Sequence, residues 1–536
     1  MKRIFHFFLL LLLSGCANRV TPTGGDKDVK PPQLLVAVPA DKTVNFKSKE
    51  IRLYFDEYVQ LVDLPGQLLI SPLTSKMPVV KFSKKSIVIT LPDSLLQNTT
   101  YTISFGKAIV DVHESNPLVD FQYVFSTGGY LDSLTLEGVV KDATVLTGVK
   151  NITALIYRKW KDELPDSMVF KNRPDYFART NENGEFKVSN MPPGEYKVFA
   201  VDDKNNNYKC DNPSDEGLAF QEQLITLPGL QYSQLKISTL EPAGIRLLKP
   251  SVMDRHCALI SFNKPLDSIE IVDFSGKKWE GRFYQSAFKD SLYLCQPDKS
   301  KDSLSLLIYN AGQFVDTVMM SLAPAKGSKE GADRLRIFLR QSPTGFGPES
   351  PLILNTNHPL FAMNDSAEVV EDSAKAVSVP LVIMDSLRGY FSITYPWQSG
   401  KRYKVFMYPG TIKDIYDYSN DTIKNEFLVP GPESTAILSV KTEGLVNGKN
   451  YILQLLNEKY ELLREVKTTI DSLHTFAYLT PGSIRLRIIE DINHDGRWTY
   501  GNYGKLRQPE PVWIYQEALT LRSNWELEVV FKVFTE

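Results

Sequence analysis

The stretch Ile51-Arg52-Leu53-Tyr54-Phe55 decides the fold class, because its apolar side chains recur at every second position. This period is typical of a β-strand with one buried face. Short runs of the same kind follow at 86–91, 101–105 and 121–125, and turns with polar residues or proline separate them. No convincing amphipathic helix lies between them. The pattern therefore predicts an all-β protein built from β-sandwiches.

Length and composition limit the classes of protein. The chain has 536 residues, 43% of them apolar and 11% aromatic, with a formal net charge of −2. One hydrophobic core does not extend over such a length, so several domains are expected. The near-neutral charge provides no basic field for nucleic acid, and we expect no nucleic-acid partner.

The amino terminus has the pattern of an export signal. Lys2 and Arg3 precede a largely apolar run from 4 to 13, which is too short to span a bilayer as a stable helix. The residues Leu13-Ser14-Gly15-Cys16 that follow resemble the lipobox of bacterial lipoproteins. The resemblance implies a signal peptide at 1–15 and a covalent lipid at Cys16. Through that lipid the protein would be anchored to a membrane. Ala17 favours the outer membrane by the same resemblance, and a periplasmic and a surface-facing orientation both stay open.

A tether at 16–32 leads into a domain with several recognisable short motifs. These are Lys30-Pro31-Pro32, Pro39-Ala40-Asp41, Ile51 to Glu57, Thr99-Thr100-Tyr101, Asp111, Glu114, Asn116 and Tyr123 to Gly128. With these residues, 33–130 resemble the bacterial Ig-like domain named after the S-layer protein SbsA, as found in Ig-like lipoproteins of Bacteroidota. The resemblance implies a structural or binding module and brings no catalytic residues.

Residues 131–240 resemble the small transthyretin-like or carboxypeptidase-regulatory-like β-sandwich. Within them, Asn183-Gly184 predicts a hairpin with a type I′ turn. Residues 241–322 form a third β module without a recognisable motif. Residues 323–332, rich in Lys, Gly, Ser and Ala, are expected to be a linker.

The first two modules recur beyond the linker. Residues 333–430 are predicted to be a second Ig-like module, in which Asp414 matches Asp111. Residues 431–536 are predicted to be a second transthyretin-like sandwich, because Pro481-Gly482 precedes Asp491 at the spacing at which Pro193-Gly194 precedes Asp203. Matches of this kind at this distance indicate an internal duplication.

Two aligned loops in these repeats are candidate calcium sites. Alternating oxygen side chains at the first, third and fifth positions are typical of calcium loops. The motif is incomplete, since Asn502 stands where a bidentate Glu is needed and Tyr208 replaces the turn glycine of the first loop. The alternative is a polar loop whose side chains cap their own backbone. The candidate ligands are Asp203, Asn205, Asn207, Asp491, Asn493 and Asp495.

Three cysteines follow Cys16, an odd number for an oxidising compartment. Cys257 and Cys295 lie on strand-like runs of one module, where they could form a disulfide or remain two buried thiols. The remaining one of the three cysteines that follow Cys16 is Cys210.

The function that these features favour is non-catalytic. We find no HExxH, GxSxG, P-loop, GxGxxG or CxxC motif, so we do not expect an enzyme. The preferred hypothesis is a lipid-anchored cell-envelope protein that binds or scaffolds an unknown protein or glycan. One alternative is a glycan- or peptide-binding component of an outer-membrane uptake system. A second is an envelope hydrolase whose site has no recognised motif.

Overall fold

The computed structural model confirms the all-β prediction. It describes residues 28–159, 165–212, 215–229, 232–240, 244–253, 256–286, 288–296, 303–322, 334–340, 346–363, 366–371, 375–385 and 388–534. Within these ranges the helices are short: α1 (Leu64–Gln67), α2 (Met168–Lys171) and 3-10 turns at Pro432–Ser434 and Tyr503–Lys505. No helix in this part of the chain is long and apolar enough to cross a membrane.

Nine strands form the first sandwich. The order β1-β2-β6-β5 in one sheet packs against β4-β7-β9, and β3-β8 makes a short ribbon. On β2, Ile51, Leu53 and Phe55 are at most 2% exposed and fill the core, as the alternation predicts. The strands are β1 (Leu34–Val38), β2 (Glu50–Phe55), β3 (Val59–Leu61), β4 (Leu69–Ser71), β5 (Val79–Ser83), β6 (Ser86–Thr90), β7 (Thr100–Ser104), β8 (Ile109–Asp111) and β9 (Gln122–Ser126).

The second sandwich pairs a sheet β13-β10-β17 with a sheet containing β12-β11-β14, to which β16 adds along β14. Its predicted hairpin turn is not type I′, since Gly184 has a positive φ of 78° and Asn183 does not. The Asn181 side chain accepts the N–H groups of Asn183 and Glu185 and so sets a longer turn. The strands are β10 (Leu134–Asp142), β11 (Thr153–Lys159), β12 (Tyr176–Arg179), β13 (Glu185–Met191), β14 (Gly194–Val201), β15 (Leu218–Phe220), β16 (Ile225–Leu227) and β17 (Tyr232–Ile237).

The third sandwich has a strand order that its sequence does not reveal. Its sheets β18-β19-β22-β21 and β20-β23-β24 repeat the order of the two main sheets of the first sandwich, without a counterpart of the β3-β8 ribbon in the described residues. The strands are β18 (Ser251–Val252), β19 (Cys257–Ser261), β20 (Ile269–Asp273), β21 (Arg282–Gln285), β22 (Ser291–Cys295), β23 (Ser303–Asn310) and β24 (Gln313–Ser321).

The fourth sandwich repeats all nine strands of the first. Its order is β25-β26-β30-β29-β28-β31-β33 with a β27-β32 ribbon, so the pairing of β28 with β29 joins the two sheets into one. The strands are β25 (Ile337–Arg340), β26 (Leu352–Thr356), β27 (Leu360–Met363), β28 (Ser366–Glu371), β29 (Val377–Ile383), β30 (Tyr390–Ile393), β31 (Arg402–Met407), β32 (Ile412–Asp414) and β33 (Ile423–Leu428).

The fifth sandwich has the order of the second. A sheet β37-β34-β41, in which β34 and β41 are parallel, packs against β36-β35-β38-β39, with β40 added along β38. The strands are β34 (Ala436–Glu443), β35 (Tyr451–Leu456), β36 (Leu462–Thr468), β37 (Leu473–Leu479), β38 (Gly482–Glu490), β39 (Val512–Ile514), β40 (Leu519–Leu521) and β41 (Glu526–Lys532).

One local hydrogen bond recurs in the first, third and fourth sandwiches. Within two residues after the second strand of each, an Asp or Asn side chain accepts a backbone N–H from the segment that precedes the first strand. Asp56 accepts from Gln33, Asn263 from Arg246 and Asn357 from Arg336, each at 2.7 Å. This side chain caps the chain where the strand ends. The three sandwiches therefore share one strand order and one local cap.

The chain divides into two compact units. Unit 1 contains Met1–Val140, Gly148–Asp211 and Gln221–Leu235, and so holds the first sandwich and most of the second. Unit 2 contains Lys141–Thr147, Asn212–Phe220 and Lys236–Glu536, and so holds the third, fourth and fifth sandwiches. The signal peptide at 1–15, Cys16 and the linker at 323–332 lie outside the described residues.

Candidate functional site

The first candidate calcium loop follows β14 and binds its own backbone. The Asp203 carboxylate is 8% exposed and accepts the N–H groups of Asn207 (3.1 Å) and Tyr208 (2.9 Å). The side-chain amides of Asn205 and Asn207 both donate to Asp211 Oδ2, at 2.6 and 2.7 Å. These bonds hold the loop closed through its own polar groups.

The second loop, after β38, has the same network. Asp491 is 4% exposed and accepts the N–H groups of Asp495 and Gly496, both at 3.0 Å. Asn493 Oδ1 also accepts the Asp495 N–H, at 3.1 Å. The equivalent bonds of Asp203 and Asn205 show that both loops use one backbone-capping arrangement.

Glu510, which lies just before β39, completes the second loop. Its buried carboxylate accepts the N–H groups of Ile492 and Thr499, both at 2.8 Å. Burial raises the pKa of Glu510, and the charge of Asp491 raises it further. Among the described residues, no group of three or more His, Cys, Asp or Glu side chains is arranged to hold a metal ion. Calcium binding at either loop stays a prediction.

The aromatic residues after this loop are divided between core and surface. Trp513 and Tyr515 pack against the core of the fifth sandwich, and Trp498 packs against a smaller buried cluster. Tyr500 is 43% exposed. Most of these rings therefore serve packing.

Cys257 and Cys295 form a disulfide between β19 and β22. The two residues are direct partners in the strand pairing, with their Cα atoms 4.2 Å apart. Cys210 is a buried thiol in the second sandwich.

The disulfide lies in a contact between the third and fourth sandwiches, which we call the third–fourth junction. The Tyr416 hydroxyl lies 3.0 Å from Cys257 Sγ, and the Tyr293 hydroxyl donates to the carbonyl of Asn357 at 2.8 Å. The buried residues of this junction are Cys257, Tyr293, Cys295, Ile415 and Tyr416. Both sandwiches thus contribute to one small apolar core.

A buried acid supports the fourth-sandwich side of this junction. Asp414, at the end of β32, is fully buried and hydrogen-bonds to His358, which is 1% exposed. Its other oxygen accepts the N–H groups of Tyr416 (2.8 Å) and Tyr418 (2.9 Å). Asp414 therefore holds the loop that carries Tyr416 in place.

Asp111 occupies the same place in the first sandwich, at the end of β8. Its carboxylate accepts three backbone N–H groups, from residues 114, 115 and 116, at 2.7 to 3.0 Å. Burial by itself would raise the pKa of Asp111, but these donors outweigh it and hold the pKa below its usual value. Asp111 and Asp414, which the sequence comparison aligned, thus have the same structural role: each accepts backbone N–H groups of the loop that follows its strand.

A second junction joins the first and second sandwiches within unit 1. The N–H of Leu73 donates to the Asp175 carbonyl at 2.7 Å, and the Asn190 amide donates to Thr102 Oγ1 at 2.9 Å. A cleft with a volume of about 590 Å³ opens beside these contacts, lined by both sandwiches. Among its polar residues are Asp132 and Arg158, which no sequence motif singled out because they come from separate segments.

The first sandwich is similar to a known domain family. Residues 28–127, which make up the first sandwich, match the family model described as bacterial Ig-like domain. No curated protein matches the chain.

Solved structures with some likeness include BcpA, the major pilin subunit of Bacillus cereus, at 9% identity over 75% of this chain and 99% of the pilin, with a TM-score of 0.14. The surface layer protein SbsC (domains 1–6) is 10% identical over 91% of this chain and 67% of its own, with a TM-score of 0.15. A fragment of alpha-2-macroglobulin from Escherichia coli is 14% identical over 46% of this chain and 93% of its own, with a TM-score of 0.17. The chain is an all-β protein whose first domain is Ig-like.

Proposed function

We propose that this protein is a lipid-anchored, non-catalytic scaffold of the cell envelope, whose packed sandwiches hold binding surfaces in fixed positions. The observation that carries the proposal is the third–fourth junction, in which a disulfide and two tyrosines from neighbouring sandwiches share one buried cluster. Domains that move freely are connected by exposed linkers with few contacts between them. A buried junction is therefore suited to a scaffold, because it keeps neighbouring sandwiches in a fixed arrangement.

A further contact within unit 2 supports the same role. Arg497 of the fifth sandwich pairs with Asp290 of the third, with Nη1 and Oδ2 2.9 Å apart. Burial would raise the pKa of Asp290, but the hydrogen bond and charge of Arg497, with two serine donors, lower it. The pair is half-exposed, so it contributes on the order of 1 kcal/mol or less. The ion pair therefore contributes mainly by fixing the orientation of the fifth sandwich relative to the third.

The anchor in this proposal is the lipid at Cys16, which would place the protein at the outer membrane. A lipid chain contributes about 0.8 kcal/mol for each methylene that it buries, so more than one chain gives stable attachment. The partner in this proposal is a protein or a glycan of the envelope. Unpaired edge strands of the sandwiches are a suitable place for a protein partner to add a strand.

Fractionation of cells that express the full chain tests the anchor. The wild-type protein should incorporate radiolabelled fatty acid and sediment with the outer membrane, and Cys16→Ala should do neither. Cys210→Ala is the matched control, because its cysteine is buried in a sandwich and should not affect labelling. Fatty-acid labelling of Cys16→Ala at the wild-type level would refute the lipid anchor.

Protease shaving of intact cells tests the orientation. Antibodies to the first and fifth sandwiches report whether each is digested, with a periplasmic protein as the leakage control. Digestion in intact cells would identify a surface scaffold. Digestion only after the outer membrane is permeabilised would identify a periplasmic one.

A further inference from the structure

The cleft between the first and second sandwiches has the dimensions and fixed walls of a ligand site. Its volume of about 590 Å³ falls within the roughly 300–1,000 Å³ of small-molecule sites. Arg158 Nη2 donates to the Pro193 carbonyl at 2.8 Å, and the Tyr196 hydroxyl donates to the Pro192 carbonyl at 2.6 Å. These bonds hold the wall contributed by the second sandwich.

The opposite wall is the loop before β7, and it is equally fixed. Thr127 Oγ1 donates to the Leu96 carbonyl at 2.7 Å and accepts the Thr99 N–H at 3.0 Å. The cleft is therefore formed before any ligand arrives, which lowers the entropy cost of binding.

Asp132 is the polar residue of the cleft that most clearly indicates a ligand. It is 9% exposed and lines the cleft, and its backbone N–H donates to Thr100 Oγ1 at 2.8 Å. Within the described part of the chain, no group donates a hydrogen bond to its carboxylate. Its charge helps to raise the pKa of Tyr196 to about 12, after the larger effect of burial. The carboxylate oxygens therefore stay open to the cleft, where a ligand or water can donate hydrogen bonds to them.

The other lining groups indicate what the ligand is. The side-chain amides of Gln97 and Asn98 lie on the loop wall and offer donors and acceptors. Tyr130 is 58% exposed and presents a flat ring. Because Arg158 lies in the same cleft as Asp132, a cation or an anion would meet charges of both signs. A sugar hydroxyl both donates and accepts, and a sugar ring has an apolar face that packs on an aromatic ring.

We propose that this cleft binds a neutral glycan, whose hydroxyl groups hydrogen-bond to Asp132 and to the amides of Gln97 and Asn98, and whose ring packs on Tyr130. The inference rests on the proposed function, whose partner is a protein or a glycan, and it assigns a neutral glycan to this cleft. It is tested by binding, and the anchor is tested by fractionation, so one can fail without the other.

The test is affinity electrophoresis and calorimetry of the full chain with a soluble β-glucan, a xylan and a galactomannan. At least one neutral polysaccharide should bind, and Tyr130→Ala and Asp132→Asn should each weaken its affinity about tenfold. Tyr408→Ala, which changes a tyrosine of the fourth sandwich with 56% exposure, should bind as the wild type does. Thermal melting checks that Asp132→Asn is folded, and Tyr130→Ala removes only an exposed ring.

Three results would overturn the proposal. The first is no binding of any of the three polysaccharides. The second is glycan binding that neither Tyr130→Ala nor Asp132→Asn weakens. The third is binding of a lysine tripeptide that Asp132→Asn abolishes while the polysaccharides do not bind, which would make the cleft a site for cationic peptides.

Discussion

Replacing Tyr416 by alanine should uncouple the third and fourth sandwiches. A tyrosine buries roughly 150–250 Å², and burial contributes about 25 cal/mol for each Å². Tyr416 is only 8% exposed, so the loss of its side chain should lower the free energy of unfolding by about 4 kcal/mol. Because the Tyr416 ring packs against His358 of its own sandwich and its hydroxyl lies against Cys257 of the third sandwich, the loss should affect both sandwiches.

Pulse proteolysis across a urea series measures this effect. Fragments mapped by mass spectrometry give separate unfolding midpoints for the third and fourth sandwiches. In the wild type the two midpoints should coincide, and in Tyr416→Ala both should fall and separate. Tyr416→Phe, which removes only the hydroxyl near the disulfide sulfur, should cost about 1 kcal/mol or less.

The matched control is Tyr408→Ala, which removes an exposed tyrosine of the same sandwich. Surface substitutions of this kind change the free energy of unfolding by about 0.5 kcal/mol or less. If Tyr416→Ala shifted the midpoints no more than Tyr408→Ala does, the third–fourth junction would not be a stabilising contact.

Three further predictions concern buried acids. Asp491→Ala removes the acceptor of the Gly496 N–H and one of the two acceptors of the Asp495 N–H, so it should lower the free energy of unfolding by about 1–3 kcal/mol in a urea titration, whereas Asp495→Ala at the exposed tip should cost less. If the loop binds calcium, millimolar calcium should raise the Tm of the wild type and not that of Asp491→Ala, and an unchanged wild-type Tm would contradict calcium binding. Because the folded-state pKa values of Asp111 and Asp290 lie below the ordinary 3.8, their stabilisation is complete above that value and is lost as the pH falls through the folded-state pKa. Asp111→Asn should therefore show a smaller loss of Tm between pH 5 and pH 2 than the wild type, and an equal loss would refute the assignment.

The local pattern was sufficient to predict the fold class. Alternation at Ile51 to Phe55 depends only on neighbours in sequence, and these side chains fill the core as expected. The sequence of the third sandwich has no recognisable motif, because this sandwich resembles the first mainly in the order in which its strands pair. It also has no described counterpart of the β3-β8 ribbon, and Asp111, part of the recognised pattern, ends β8.

The candidate sites depend on local contacts in some places and on contacts between distant segments in others. The two loops have the same hydrogen bonds, which join residues two to five positions apart, so their likeness is visible in the local sequence. Glu510 meets the loop because the chain folds back over 11 to 18 positions, and the sequence pattern alone does not decide such a fold. The cleft was equally hidden, because Asp132 and Arg158 come together only through the packing of two sandwiches. At Asn183 the turn prediction was wrong because a nearby side chain, Asn181, determined the backbone.

Hydrogen–deuterium exchange of the wild-type full chain tests the central claim that neighbouring sandwiches share a buried junction. The amides of Tyr416 and Tyr418 donate to the buried Asp414, under a cluster that the third sandwich covers. They should exchange as slowly as the core amides of β31. Exchange as fast as that of exposed loop peptides would show that the junction opens freely and would contradict the scaffold.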